Sequence, residues 1–118
     1  MEEKFSVTIE SYDSYAVLTP VGPVLGSGIV QLREALDEYL KAPAQNLLIE
    51  LSGILYFTSG ALDVLLKARK KAMDHRCRVV LVSSQEEIQE LIEITGCKAL
   101  FPFYNSLDAA IRELQLNS

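Results

Sequence analysis

Apolar and polar residues alternate near the start of the chain: Phe5, Val7 and Ile9 stand between Ser6, Thr8 and Glu10. A period of two marks a strand with one buried face. Tyr12-Asp13-Ser14 makes a short turn and Tyr15 to Pro20 returns as a second strand, which predicts an opening hairpin. The period then changes. After a break at Gly22, Pro23, Gly26, Ser27 and Gly28, the residues Ile29, Leu32, Leu36, Tyr39 and Leu40 recur at helical spacing with charged residues between them. Pro43 stops this helix.

Asn46 to Leu51 is too continuously apolar for a one-sided strand and reads as a central strand covered on both faces. Leu51 to Tyr56 carries no charge and leads into Thr58, Ser59 and Gly60, the first turn of a second helix that runs to about His75. Ala61, Leu65, Ala68 and Ala72 form its inner stripe, and the alanines let it lie close to a sheet. Arg78 to Val82 is another buried strand. Ser84 and Glu87 have capping-box spacing ahead of a third helix, whose stripe is Ile88, Leu91, Ile92 and Thr95 and whose end falls at Gly96. Ala99 to Tyr104 gives a last strand, at a sheet edge because Pro102 cannot donate to a ladder. Ser106 caps a final helix built on Leu107, Ala110, Ile111 and Leu114. The order β-β-α-β-α-β-α-β-α predicts an α/β fold, with a mixed central sheet and right-handed crossovers, in a single domain over residues 1–118.

Composition narrows the function. With 49% hydrophobic and 23% charged residues the chain is that of an ordinary soluble protein, and no apolar run approaches the ~20 residues of a membrane-spanning helix. It is not expected to be membrane-embedded. The acidic start MEEKF lacks the basic and apolar regions of a secretory signal, which predicts a cytoplasmic location. Cys77 and Cys97 have no CxxC or Cys/His spacing and read as two buried small hydrophobes, so neither a metal nor a cofactor is expected. A net charge of −5 argues against sequence-independent nucleic-acid binding, which relies on clustered Lys and Arg. Lys67, Arg69, Lys70 and Lys71, followed by Arg76 and Arg78, read as a solvated outer helix face.

Catalytic constellations are missing. Gly22, Gly26 and Gly28 fit neither GxGxxG nor GxxxxGK[ST], so loop punctuation outweighs a small-molecule or phosphate site there. Ser59, Asp63 and His75 suggest a hydrolase, yet Ser59 and His75 at the two ends of one straight helix lie about 24 Å apart at ~1.5 Å per residue, far beyond the ~3 Å that a nucleophile and base require. Glu34 with Glu38, and Glu86 with Glu87, sit on polar helix faces. What remains is a pair of hydroxyls, Thr58 and Ser59, at a helix start whose free N–H groups and positive dipole end favour an oxygen or a phosphate. Either hydroxyl suits the N-cap.

The stretch IELSGILYFTSGALDVLLKARKKA, continued by VVLVSSQEEIQELIEITGCKALFPFYNSLDAAI, resembles the STAS domain of bacterial anti-sigma factor antagonists (anti-anti-sigma factors) over nearly the whole chain. Glu50, Leu51 and Ser52 match the family's acidic-Leu-Ser motif, and Ser59 falls on the serine its regulatory kinases phosphorylate. Thr58 stands where the family usually has aspartate, Gly60-Ala61 replaces Ser/Thr-Gly, and Leu25 stands about where an aspartate is common. The resemblance implies a non-enzymatic protein-binding switch in bacterial transcription regulation. It would dock on an anti-sigma factor or serine kinase and be phosphorylated at Ser59, with Thr58 the second candidate. Tyr56, Phe57, Gly60, Ala61 and Asp63 are the docking candidates, and a phosphatase and a second copy of the chain are further partners to expect. The alternative implied by the missing aspartates is a non-phosphorylated STAS subunit of a larger assembly, such as a lipid-transport ABC complex or a stressosome-like particle.

Overall fold

The computed structural model describes residues 4–41 and 45–116. The elements are β1 (Ser6–Ser11), β2 (Tyr15–Pro23), α1 (Ser27–Leu40), β3 (Asn46–Glu50), β4 (Ile54–Leu55), α2 (Ser59–Asp74), β5 (Val79–Val82), α3 (Glu86–Ile94), a 3-10 turn (Cys97–Ala99), β6 (Phe103–Tyr104) and α4 (Leu107–Leu116). Strands β1-β2-β3-β5-β6 lie side by side in that order, and β4 pairs with β2 off that path. Among the described residues, only the β1–β2 hairpin is antiparallel. The expected mixed α/β sheet is therefore present, with one short strand more than the periodicity gave. Pro43, expected to end α1, lies outside the described residues.

The continuous apolar runs of β3 and β5 divide by the strand period of two. Leu47, Ile49, Val79 and Leu81 point to one side, into a core shared with Leu32 and Leu36 of α1, Leu65 of α2 and Ile88 of α3. Leu48, Val80 and Val82 point to the other side, where Ala110 and Leu114 of α4 cover them. Three helices thus close one face and a single helix closes the other. Along α2, Ala61, Leu65, Ala68 and Ala72 are all buried as their spacing requires. Ser106 accepts the Ala109 N–H at 3.1 Å and caps α4.

Several expectations are corrected. The last strand shrinks to Phe103–Tyr104 because Gly96, at φ 75, turns the chain into the 3-10 turn and buries Phe101. Pro102 does sit at the edge, its carbonyl accepting the Leu81 N–H at 2.9 Å. Ser84 does not cap α3: Ser83 accepts the Gln85 N–H at 3.0 Å, so the helix starts after Gln85, and Ser84 turns to Ser52 instead. Ile9 is 43% exposed on the edge strand, and Cys77 is half-buried whereas Cys97 is buried. The basic stretch of α2 is exposed as expected, with Arg69 half-buried, and several of its side chains are paired at the surface. Lys71 pairs with Asp37 of α1 at 2.6 Å, Lys67 with Asp63 at 3.0 Å, and Arg69 donates from Nε to the Leu100 carbonyl at 2.6 Å.

Candidate functional site

The C-terminal ends of β2, β3 and β5 gather at one end of the sheet, and α2 begins there. The chain leaves β3 with the Leu51 N–H bonded to the Val82 carbonyl at 2.7 Å, and the Glu50 carboxylate accepts the Ser52 N–H at 2.9 Å, folding the turn back. The acidic-Leu-Ser motif thus shapes a turn. Beyond it, β4 lies beside the end of β2: Gly22 N–H donates to the Gly53 carbonyl at 3.0 Å and Val24 N–H to the Leu55 carbonyl at 2.9 Å. Tyr56 follows at φ 58, a left-handed conformation that costs a non-glycine residue on the order of 1 kcal/mol. That turn throws the Tyr56 ring outward, 66% exposed, while Phe57 packs against the core.

The open choice between two capping hydroxyls is resolved by position. Thr58, extended at φ −112 and ψ 171, is the N-cap; its Oγ1 accepts the Ala61 N–H at 3.4 Å and its carbonyl the Leu62 N–H at 3.0 Å. Ser59 is the first helical residue, exposed, and its hydroxyl has no hydrogen-bond partner among the described residues. The first turn of α2 holds no acidic side chain, so the positive end of its dipole is uncompensated. An anion on Ser59 would meet that end.

The other predicted residues separate. Gly60 is exposed, and a Cβ there would come within 3.2 Å of Ile29 Cδ1, so its lack of a side chain lets α1 pack close to the start of α2. Ala61 is fully buried and offers no surface to a partner, a correction to its place among the docking residues. Asp63 is exposed one turn further on, in an i,i+4 pair with Lys67 that both solvent and salt weaken. Two apolar neighbours add to the patch: Leu55 is 40% and Leu25 46% exposed, brought together by the pairing of β4 with β2. Their proximity depends on a two-residue strand that no periodicity reveals. Gln85 was also missed as part of this region; its side chain reaches the carbonyls of Ser52, in the turn before β4, and of Ile54, the first residue of β4.

At the same end Ser27 opens α1, also exposed and without an acid in its first turn, but its cap position is held by Gly26 and not by a second hydroxyl. A Cβ on Gly28 would lie 2.3 Å from the Pro23 carbonyl, so at Gly28 the glycine-rich loop is closed by its own chain. His75 caps the far end of α2, opposite Ser59. Among the described residues no three His, Cys, Asp or Glu side chains converge as a metal site would need, and no helix is long and apolar enough to cross a membrane. The tyrosines held above the ordinary phenol range lie elsewhere. Tyr12 is raised by its hydrogen bond to the Glu10 carboxylate, Tyr39 and Tyr104 by burial.

Comparison with known proteins gives the family and the fold. The model of the STAS domain matches residues 6–110, and the chain belongs to that family, a non-catalytic regulatory and binding domain. A curated relative is BtrV of Bordetella bronchiseptica, provisionally named an anti-sigma factor antagonist, 25% identical over 104 residues that cover 88% of this chain and 90% of the relative. An anti-sigma factor antagonist from Mycobacterium paratuberculosis has the same fold, with a TM-score of 0.86 and 20% identity over 98% of this chain and 99% of that one. The Bacillus cell fate determinant SpoIIAA in its phosphorylated form superposes with a TM-score of 0.72 at 12% identity, over 92% of this chain and 99% of that one.

Proposed function

We propose that the chain is a protein-binding switch of the anti-sigma-factor-antagonist type, docking through the surface around Ser59 on an anti-sigma factor or serine kinase. The observation that carries this reading is the exposed, unpartnered Ser59 hydroxyl at the start of α2, beside exposed Tyr56, Leu55 and Leu25. Thr58 Oγ1 is engaged as the cap, which supports Ser59 over Thr58 as the acceptor. Phosphorylation adds roughly −1.5 to −2 charges and three strong acceptor oxygens. In the free protein the helix start accommodates that charge; inside an interface with apolar Tyr56 and Leu55 it must be desolvated, and binding weakens. The modification changes association and leaves the fold nearly intact. A phosphatase returns the chain to its docking form. We place this cycle in the cytoplasm, with the chain acting as one domain. The similarity to anti-sigma factor antagonists supports the class of partner.

The test is incubation with the cognate serine kinase and ATP, then mass spectrometry of the peptide from Thr58 to Lys67. Phosphate on Ser59, lost in Ser59→Ala and kept in Thr58→Ala, is expected. Phosphate on Thr58 alone, or none, overturns the switch. A second reading has its own observation, the exposed apolar Leu25 where the family commonly carries aspartate: a non-phosphorylated subunit packed permanently in a larger assembly, such as a membrane ATPase complex or a stressosome-like particle. Co-purification with a membrane ATPase, or in a particle of many copies, without a kinase favours it.

A further inference from the structure

The loop that presents Tyr56 and Ser59 is tied to β2 on one side through β4 and faces the first turn of α3 on the other. Tyr56 is in the left-handed region at φ 58, and a cleft of about 180 Å³, lined by Ile54, Tyr56, Phe57, Gln85, Glu87 and Ile88, separates the loop from the first turn of α3. Apolar packing does not close this gap; a polar side chain bridges its rim. Gln85 Nε2 donates to the carbonyls of Ser52 at 2.7 Å and Ile54 at 3.0 Å, with the Leu51 carbonyl at 3.4 Å. Three carbonyl oxygens around one side-chain atom require that atom to be the amide nitrogen. Beside it the Ser84 N–H donates to Ser52 Oγ at 3.1 Å, and the two hydroxyls lie 3.3 Å apart. Gln85 is itself fixed, its N–H donating to the Oγ of fully buried Ser83 at 3.0 Å.

We infer that Gln85 is a positioning residue for the Ser59 surface: its amide clasps the Leu51–Ile54 segment to the start of α3 and, together with the pairing of β4 to β2, sets the conformation in which Tyr56 and Ser59 are presented. The consequence for binding rests on the docking reading above; the clasp itself is a property of the free protein. Gln85→Glu is nearly isosteric and separates the two roles of the side chain. An ionised carboxylate has no hydrogen to donate and faces three carbonyl oxygens, so the loop is released at neutral pH. The same oxygens raise the pKa of the introduced carboxyl group above the ordinary ~4.3. Protonation restores one donor, and the clasp re-forms as pH falls. Gln85→Leu keeps the bulk and has no such recovery.

Amide correlation spectra and hydrogen exchange of the full chain and both variants, at about pH 7.5 and about pH 4.5, test the clasp. At the higher pH the amides of Leu51 to Ser59 should shift and exchange on the order of tenfold faster in both variants, while β5 and the second half of α2 stay protected. At the lower pH the Glu variant should return toward wild type and the Leu variant should not. Loop amides indistinguishable from wild type in both variants overturn the clasp. With the kinase and ATP, Ser59 labelling of Gln85→Leu should fall several-fold; a released loop labelled at the wild-type rate overturns the positioning role and leaves the Ser59 reading standing. If wild type itself takes no phosphate, the Ser59 reading fails and the loop spectra alone decide the clasp.

Discussion

Two strand-to-helix turns stand side by side at the end of the sheet, from β3 to α2 and from β5 to α3, and they use similar side chains in opposite ways. In the second, Ser83 is buried on the Gln85 N–H and Ser84 is turned to Ser52. Glu86 and Glu87 already sit in the first turn of α3, against the positive end of its dipole. In the first turn, Thr58 serves as the cap, no acid follows, and Ser59 is left outside. Hydroxyl content does not distinguish these turns. The difference lies in whether each hydroxyl already has a backbone partner, and in whether the helix start already has its negative charge. Of these two turns, the α2 turn alone keeps both a free hydroxyl and an uncompensated helix end, which is what a phosphate-operated surface requires.

The largest effect should come from removing the packing beneath the α2 turn. Leu51 is fully buried, and its N–H bond to Val82 ties the two turns together. Leu51→Ala removes a buried side chain with little room for collapse, and the expected loss is about 2–5 kcal/mol in urea unfolding. A loss below about 1 kcal/mol would mean that the turns are not built on a common frame.

A smaller effect separates the two neighbouring hydroxyls. Thr58→Ala should destabilise by about 0.5–2 kcal/mol through the lost cap, whereas Ser59→Ala should stay within about 0.5 kcal/mol of wild type, as exposed positions do. Thermal or urea unfolding of the pair gives the order directly. Equal losses, or the reverse order, would make Ser59 the cap and remove the contrast between an occupied and a free hydroxyl.

Much of this frame was legible in the sequence because it rests on period and burial. The two-sided runs of β3 and β5, the alanine stripe of α2 and the opening hairpin all follow from spacing, and Pro102 marked the edge correctly. Ile54–Leu55 was not legible as a strand, since two residues carry no period. The outward turn at Tyr56 depends on a positive φ that a tyrosine does not announce. Ser84 and Glu87 had the right spacing for a capping box, but spacing cannot show that Ser83 would take the N–H of Gln85 first. Gln85 bonds to carbonyls of a turn more than thirty residues away, a tertiary contact without a local signal. The motif residues Glu50 to Ser52 could be located, and Ser59 placed at a helix start. Which of the surrounding apolar residues face solvent could not, because exposure at Leu25 and Leu55 is decided by the pairing of β4 with β2.

The smallest predicted effect bears on charge. Ser59→Asp puts a carboxylate at the uncompensated start of α2, where a dipole interaction is worth about 0.3–1 kcal/mol at low ionic strength. Asp63 lies four residues on, and a like charge at that spacing opposes the gain by roughly 0.2–0.5 kcal/mol, less here because Lys67 already pairs with Asp63 at 3.0 Å. The net expectation is a slight stabilisation, near the lower end of that range, that disappears in high salt as the exposed charges are screened. Ser84→Asp at the other turn should give no gain, since Glu86 and Glu87 already occupy the first turn of α3 and the hydroxyl contact with Ser52 is lost. Melting of both variants in low and high salt measures the difference. A stabilised Ser84→Asp beside a destabilised Ser59→Asp would reverse the assignment of which helix start is ready to accept a phosphate.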